Sequence, residues 1–199
     1  MVMEKAFAKL HDNYDNIISG YTQQALSCLT GAPTRNYRHK DTPNIVDKLM
    51  EGEQNNYVMA CGSQHVKGKF EDISKIGIVS SHAYTIQSVH KVHTSNGTIR
   101  LVKLRNPWGG TEWKGDWSDE SDLWTDESQD QVGFTGAGND GIFYMSETDY
   151  VTYYSNSTIC YLVDDHDNSH VRMTSSAQEE KYYKVTFEEE YDDIYFLVT

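Results

Sequence analysis

The chain has 199 residues, with 30 acidic side chains against 17 lysines and arginines and a formal net charge of −13. That balance argues against a nucleic-acid or anionic-membrane partner, because either needs a basic face. The length suffices for one substantial domain with part of a second. Three cysteines, Cys28, Cys61 and Cys160, form no CxxC pair and point to a reducing compartment rather than a disulfide framework. No apolar run reaches membrane-spanning length and the first residues lack a signal-peptide core, so a cytoplasmic protein is expected.

In chain order, Met3, Ala6, Phe7, Leu10, Tyr14, Ile17 and Ile18 are spaced for one face of a helix over residues 1–18. The segment "TGAPTRNYRHKDTPN" reads as loop, and "IVDKLMEGEQNN" as a short helix stopped near Gly52. "YVMAC" (57–61) reads as a buried strand, and 62–77 as polar, irregular chain. Residues 82–92 and 98–105 are β-rich, with Asn96-Gly97 between them as a hairpin signal. The acidic stretch 114–141 predicts irregular structure. "IFYM" (142–145) predicts a strand, Ser146 a helix cap, and "TICYLV" (158–163) a further strand. Residues 164–181 have the composition of a linker, and 182–199 alternate as two strands around an acidic turn. No HExxH, P-loop or EF-hand pattern occurs.

His82 and Asn106 fall at the open end of the predicted hairpin. A nucleophile needs a base, and an Asn carbonyl can orient that base by accepting one ring N–H. Trp108 stands two residues beyond, where it can keep water from that bond. A two-residue turn at Asn96-Gly97 would place Asn106 opposite Gln87, however, about five residues or ~16 Å from His82. The spacing therefore requires a bulge or a different turn.

The motifs "GIVSSHAYTIQSV", "LRNPWGGTEWKGDWSD" and "GNDGIFYMSETDY", in this order, resemble the calpain family of papain-like cysteine proteases. The similarity runs from about Glu4 through Val163 and is to the second half of the protease core. It implies an α+β fold: a papain-like β-rich subdomain, an antiparallel sheet or barrel with few short helices. Residues 1–18 would then be the helix that ends the first core half, and 19–165 the second subdomain. Residues 166–199 would be a linker and the opening strands of a C2-like β-sandwich.

By the same resemblance His82 is the general base, Asn106 its orienting partner and Trp108 the shield. Gly20 and Ser81 match substrate-backbone positions, although the family usually has Gly where Ser81 stands. Calcium is implied at Glu112, Asp119, Asp140 and the Gly138 carbonyl, with Ile142 replacing a usual acidic ligand. The family nucleophile lies in a Gly-Asp-Cys-Trp context that this sequence lacks. The three cysteines read as structural thiols, and the chain alone is expected to be inactive. The implied partners are a protein substrate and a first core half carrying the nucleophilic Cys. The alternative is a non-catalytic, calpain-like regulatory or protein-binding module.

Overall fold

Residues 2–68, 71–136 and 138–162, with Lys184 and Thr186, are described in a computed structural model of the chain. Apart from Lys184 and Thr186, the predicted linker and sandwich strands of 166–199 lie outside the described residues. The described part is a six-stranded, wholly antiparallel sheet: β1 (Thr34–Arg38), β2 (Val58–Ser63), β3 (Ala83–Thr94), β4 (Gly97–Arg105), β5 (Ile142–Ser146) and β6 (Tyr154–Cys160). Their order is β1-β6-β2-β3-β4-β5, so the sheet is open, with β1 and β5 as its edges and no closed barrel. The helices are α1 (Val2–Leu10), α2 (Thr22–Thr30), α3 (Ile45–Gln54), α4 (Asp126–Val132) and α5 (Glu147–Tyr153). Among the described residues, no helix is long and apolar enough to cross a membrane.

Side chains alternate across the sheet, so each strand feeds two layers. Val102 and Leu104 of β4 enter one core with Ile45, Val46 and Leu49 of α3, Phe143 and Met145 of β5, and Trp113. Leu101, their neighbour in the chain, points the other way into a second core with Val92, Trp117, Val132 and Tyr144. Trp124 packs there too, stacked on Phe134 and edge-on to Trp117. Trp113 donates its indole N–H to the Asp116 carbonyl at 2.8 Å and Trp124 donates to Ser118 at 2.9 Å. Three of the four tryptophans are thus packing that covers both faces of the sheet. Arg100 of β4 clamps the elements together, forking onto Glu147 of α5 and reaching Asp47 of α3.

Several local expectations change. The first helix ends at Leu10, because Asp12 turns the chain with φ 80°, and Asp15–Ile17 forms only a 3-10 turn. The segment read as loop contains β1, whose buried Thr34 and Tyr37 are separated by exposed polar residues, as on an edge strand. The stretch 114–141 includes α4, started by a reciprocal capping pair between Thr125 and Ser128. Ser146 does cap α5, its hydroxyl accepting from the Asp149 N–H at 3.1 Å.

The β3–β4 hairpin departs from the predicted register in two ways. Its turn is Ser95-Asn96, with Thr94 paired to Gly97, one residue earlier than the Asn-Gly dipeptide suggests. The ladder then shifts between Ile86 and Ser88: Ser88 faces Lys103 while Ile86 faces Leu104, leaving Gln87 as the extra residue of a bulge. Continued past Thr85↔Arg105, this register sets Asn106 opposite Tyr84, two residues from His82 instead of five. The bulge also changes phase. Val89 enters the first core beyond it, yet Tyr84 and Ile86 enter the same core before it. An unbroken strand would have sent the even-numbered residues to the opposite face.

Candidate active site

Asn106 is fully buried immediately after β4, held by its own backbone N–H donating to the Gly141 carbonyl at 2.7 Å. Its side-chain amide donates to the carbonyls of Gly110 (2.8 Å) and Thr111 (3.2 Å). That commitment turns Oδ1 the other way, where it accepts from the Trp108 N–H at 3.1 Å and meets His82 Nε2 at 3.0 Å. An amide oxygen only accepts, so His82 Nε2 carries a proton. The tautomer follows from the network around Asn106.

His82 enters β3 from a strained approach. Ser81 before it has φ 53°, in the left-handed region that glycine adopts freely, and its hydroxyl meets His65 Nδ1 at 2.9 Å. Ser63, at the end of β2, fixes the next step: its Oγ accepts from the His82 N–H (2.9 Å) and donates to the Val79 carbonyl (2.6 Å). Tyr84 stands edge-on to the imidazole with ring centroids 5.1 Å apart. Trp108 covers the ring at 4.5 Å and 46°, and remains 49% exposed. The imidazole itself is buried, its side chain 7% exposed.

The second ring nitrogen, Nδ1, lies 2.9 Å from Oε1 of Glu71. Glu71 was not singled out in the sequence. It lies in a polar run eleven residues before His82, and no motif marks it.

The sequence-marked carboxylates sit in the two loops flanking Asn106. Glu112 Oε1 accepts from the Gly141 N–H (2.7 Å), Asp119 Oδ2 from the Gly138 N–H (3.2 Å), and Asp140 Oδ1 from the Ile142 N–H (2.8 Å). Burial pushes the Asp119 carboxyl up to about 6, opposed by the Gly138 N–H and reinforced by Glu112, Asp140 and Glu120. Asp119, Gly138, Asp140 and Ile142 also line a cavity of about 120 Å³ with Lys103 and Tyr144. Among the described residues, no three His, Cys, Asp or Glu side chains converge as a ready metal cluster.

Gly20 lies in exposed chain before α2, with nothing within 4 Å of where a Cβ would be. Of the three free cysteines, Cys28 on α2 is exposed, whereas Cys61 and Cys160 are buried in β2 and β6. Burial raises both buried thiols above the ordinary range, the opposite of what a nucleophile requires.

Comparison with known proteins follows the same lines. The family model described as "Calpain family cysteine protease" matches residues 1–161. Calpain-14 of Homo sapiens is 37% identical over 163 residues, 81% of this chain and 23% of that protein. Calpain-A of Drosophila melanogaster is 34% identical over 173 residues, 82% of this chain and 21% of that protein. The calpain-type cysteine protease DEK1 of Arabidopsis thaliana is 32% identical over 168 residues, 80% of this chain and 8% of its own length. The chain thus spans about a quarter or less of the relatives it matches. By that match, and by the α+β antiparallel fold that accompanies it, the chain belongs to the calpain family of cysteine proteases.

Proposed function

We propose that this chain supplies the imidazole half of a calpain-type cysteine endopeptidase site, the nucleophilic thiol coming from a first core half. The observation that carries the reading is the 3.0 Å contact between His82 Nε2 and Asn106 Oδ1. With Nε2 committed to Asn106, Nδ1 is the nitrogen left to exchange a proton with the thiol. The thiolate attacks the peptide carbonyl, and the proton held at Nδ1 passes to the leaving amine. Asn106 holds the ring in one tautomer and adds no charge, while Trp108 excludes water from the bond between them. Gly20 and Ser81 are assigned to the substrate backbone, and the substrate is a protein.

Glu112, Asp119, Asp140 and the Gly138 carbonyl are assigned to calcium. Hard oxygen donors suit that cation, and the mutual repulsion around Asp119 is what a bound dication would relieve. Calcium would supply the positive charge that draws these loops together beside Asn106. Ile142 contributes no acidic ligand. Unpaired cysteines fit a reducing cytoplasm.

A non-catalytic binding module is the second reading, favoured by Ile142 and by the burial of Cys61 and Cys160. One experiment separates the two. The chain is mixed with a first core half bearing the family cysteine, association is measured by sedimentation, and cleavage of a protein substrate is followed with and without calcium. Calcium-dependent cleavage that His82→Ala abolishes supports the enzyme. Association without cleavage supports the binding module.

A further inference from the structure

We infer that Gly141 is a positioning residue of this site, a relay through which the Glu112 carboxylate fixes where Asn106, and with it His82, stands. The inference rests on the reading of Asn106 as the residue that orients His82, and deepens it.

Gly141 is bonded on both sides. Its N–H donates to Glu112 Oε1 at 2.7 Å, and its carbonyl accepts the Asn106 backbone N–H at 2.7 Å. Asn106 reaches back toward Glu112, its side-chain amide donating to the carbonyls of Gly110 and Thr111. The contacts close a circuit: Glu112 to Gly141, Gly141 to Asn106, and Asn106 to the residue before Glu112. Asn106 Oδ1, which meets His82 Nε2 at 3.0 Å, projects from that circuit.

Only glycine fits the relay position. Gly141 has φ 84°, and a Cβ on it would stand 2.7 Å from the Asn106 carbonyl oxygen and 3.0 Å from the Gly110 nitrogen. The turn at Gly141 lies directly on the 106–110 backbone, so a shift of either one displaces the other.

Both ends of the circuit are anchored. After Gly141 the chain enters β5, with Ile142 paired to Arg105. On the other side, residues 71–80 form a small hairpin: Glu71 N–H donates to the Ser80 carbonyl (3.0 Å), and Ser74 N–H donates to the Ile78 carbonyl (2.9 Å) near its closed end. That closed end packs on the Glu112 backbone. Thr111, just before Glu112, has φ 62°, a conformation that persists only where its neighbours over-determine it.

The other two carboxylates assigned to calcium lack this connection. Asp119 accepts from Gly138 and Asp140 from Ile142. Glu112 alone of the three is joined to the reacting end. A carboxylate has two oxygens, so Glu112 can hold Gly141 with one and keep the other for a cation.

The test reads hydrogen exchange and not turnover, so it can fail while the catalytic reading stands, and the reverse. By NMR of the ¹⁵N-labelled chain, the Asn106 backbone amide should exchange with solvent about tenfold faster in Glu112→Ala. The His82 Nε2 proton should exchange faster with it, while the amides of β2 and β6 keep their rates. Glu112→Gln, whose amide oxygen still accepts from Gly141, should restore both signals. Asp119→Asn should leave both unchanged. An Asn106 amide at its unsubstituted rate in Glu112→Ala overturns the inference. So does a Gln variant as fast as Ala, or an equal acceleration in Asp119→Asn or across β2 and β6. If the Ala variant fails to fold, Glu112→Asp, one methylene shorter, gives the same readout.

Discussion

Gly77 lies flat against the carbonyl of Glu112: a Cβ on Gly77 would stand 1.7 Å from that oxygen. The contact fastens the 71–80 hairpin to the Trp-rich loop, helped by Lys114 N–H donating to the Ile76 carbonyl at 3.0 Å. Gly77 also has φ 84°, so a side chain there meets both a steric and a torsional penalty. Gly77→Ala is expected to destabilise the chain by about 3 kcal/mol or more. Urea unfolding checks this, and a loss below 1 kcal/mol would mean that the two loops separate freely.

Asn106→Ala removes four side-chain hydrogen bonds at a fully buried position. The carbonyls of Gly110 and Thr111 lose their donor. A cost of about 3 kcal/mol is expected from the unmade bonds. Equilibrium unfolding measures it.

His39 is buried, its Nε2 bonded to Ser157 Oγ at 2.8 Å, and burial holds its imidazole down to about 4. In the unfolded chain it titrates near 6.5, so below that pH the unfolded state binds the extra proton. His39 alone should therefore take on the order of 3 kcal/mol from stability as the pH drops from about 6.5 toward 4, opposed below about 6 by the raised Asp119 carboxyl, which takes up its proton in the folded state. Measured by unfolding midpoints across that window, the stability of His39→Gln relative to the unsubstituted chain should rise as the pH falls.

Asp119→Asn removes one charge from a crowded carboxylate group. Without calcium its melting temperature should equal or exceed that of the unsubstituted chain. With calcium at tenfold over Kd, the unsubstituted chain should gain about 1.4 kcal/mol. The Asn variant should gain little. Equal calcium stabilisation of both would remove Asp119 from the assigned ligand set.

Thiol labelling tests the burial pattern directly. Cys28 is exposed while Cys61 and Cys160 are not. Iodoacetamide should modify the native chain at Cys28 first, with the other two reacting only on unfolding, as read by peptide mass spectrometry.

Strands with strong local signals were legible in the sequence: β2, β3, β4 and β5 carry apolar alternation or buried runs. Edge strand β1 was hidden, because only Thr34 and Tyr37 face inward and the rest is polar. Helix α4 was hidden by the acidic residues of "DESQDQV", which stabilise a helix start through the macrodipole yet resemble loop composition. The residues His82, Asn106 and Trp108 were visible as motifs, and the structure brings them together. What brings them together was not visible, because the turn at Ser95-Asn96 and the bulge at Gln87 are choices of register. Glu71 was invisible for a related reason: an isolated acid in a polar loop acquires meaning only when a hairpin folds it onto a ring.

The bulge gives the hairpin a reading frame. Gln87 is the surplus residue, so deleting it would leave Ser88↔Lys103, Ile86↔Leu104 and Thr85↔Arg105 as an unbroken ladder. Tyr84 and His82 would stay on the face they now occupy, losing only local twist. Deleting Thr85, two positions away, would keep Tyr84 and His82 in register only by closing the same bulge, which sets Gln87 opposite Leu104 in the place where Ile86 now enters the core. Two single-residue lesions in the same strand would thus differ in what they bury: one keeps Ile86 in the core, and the other exchanges it for a polar amide.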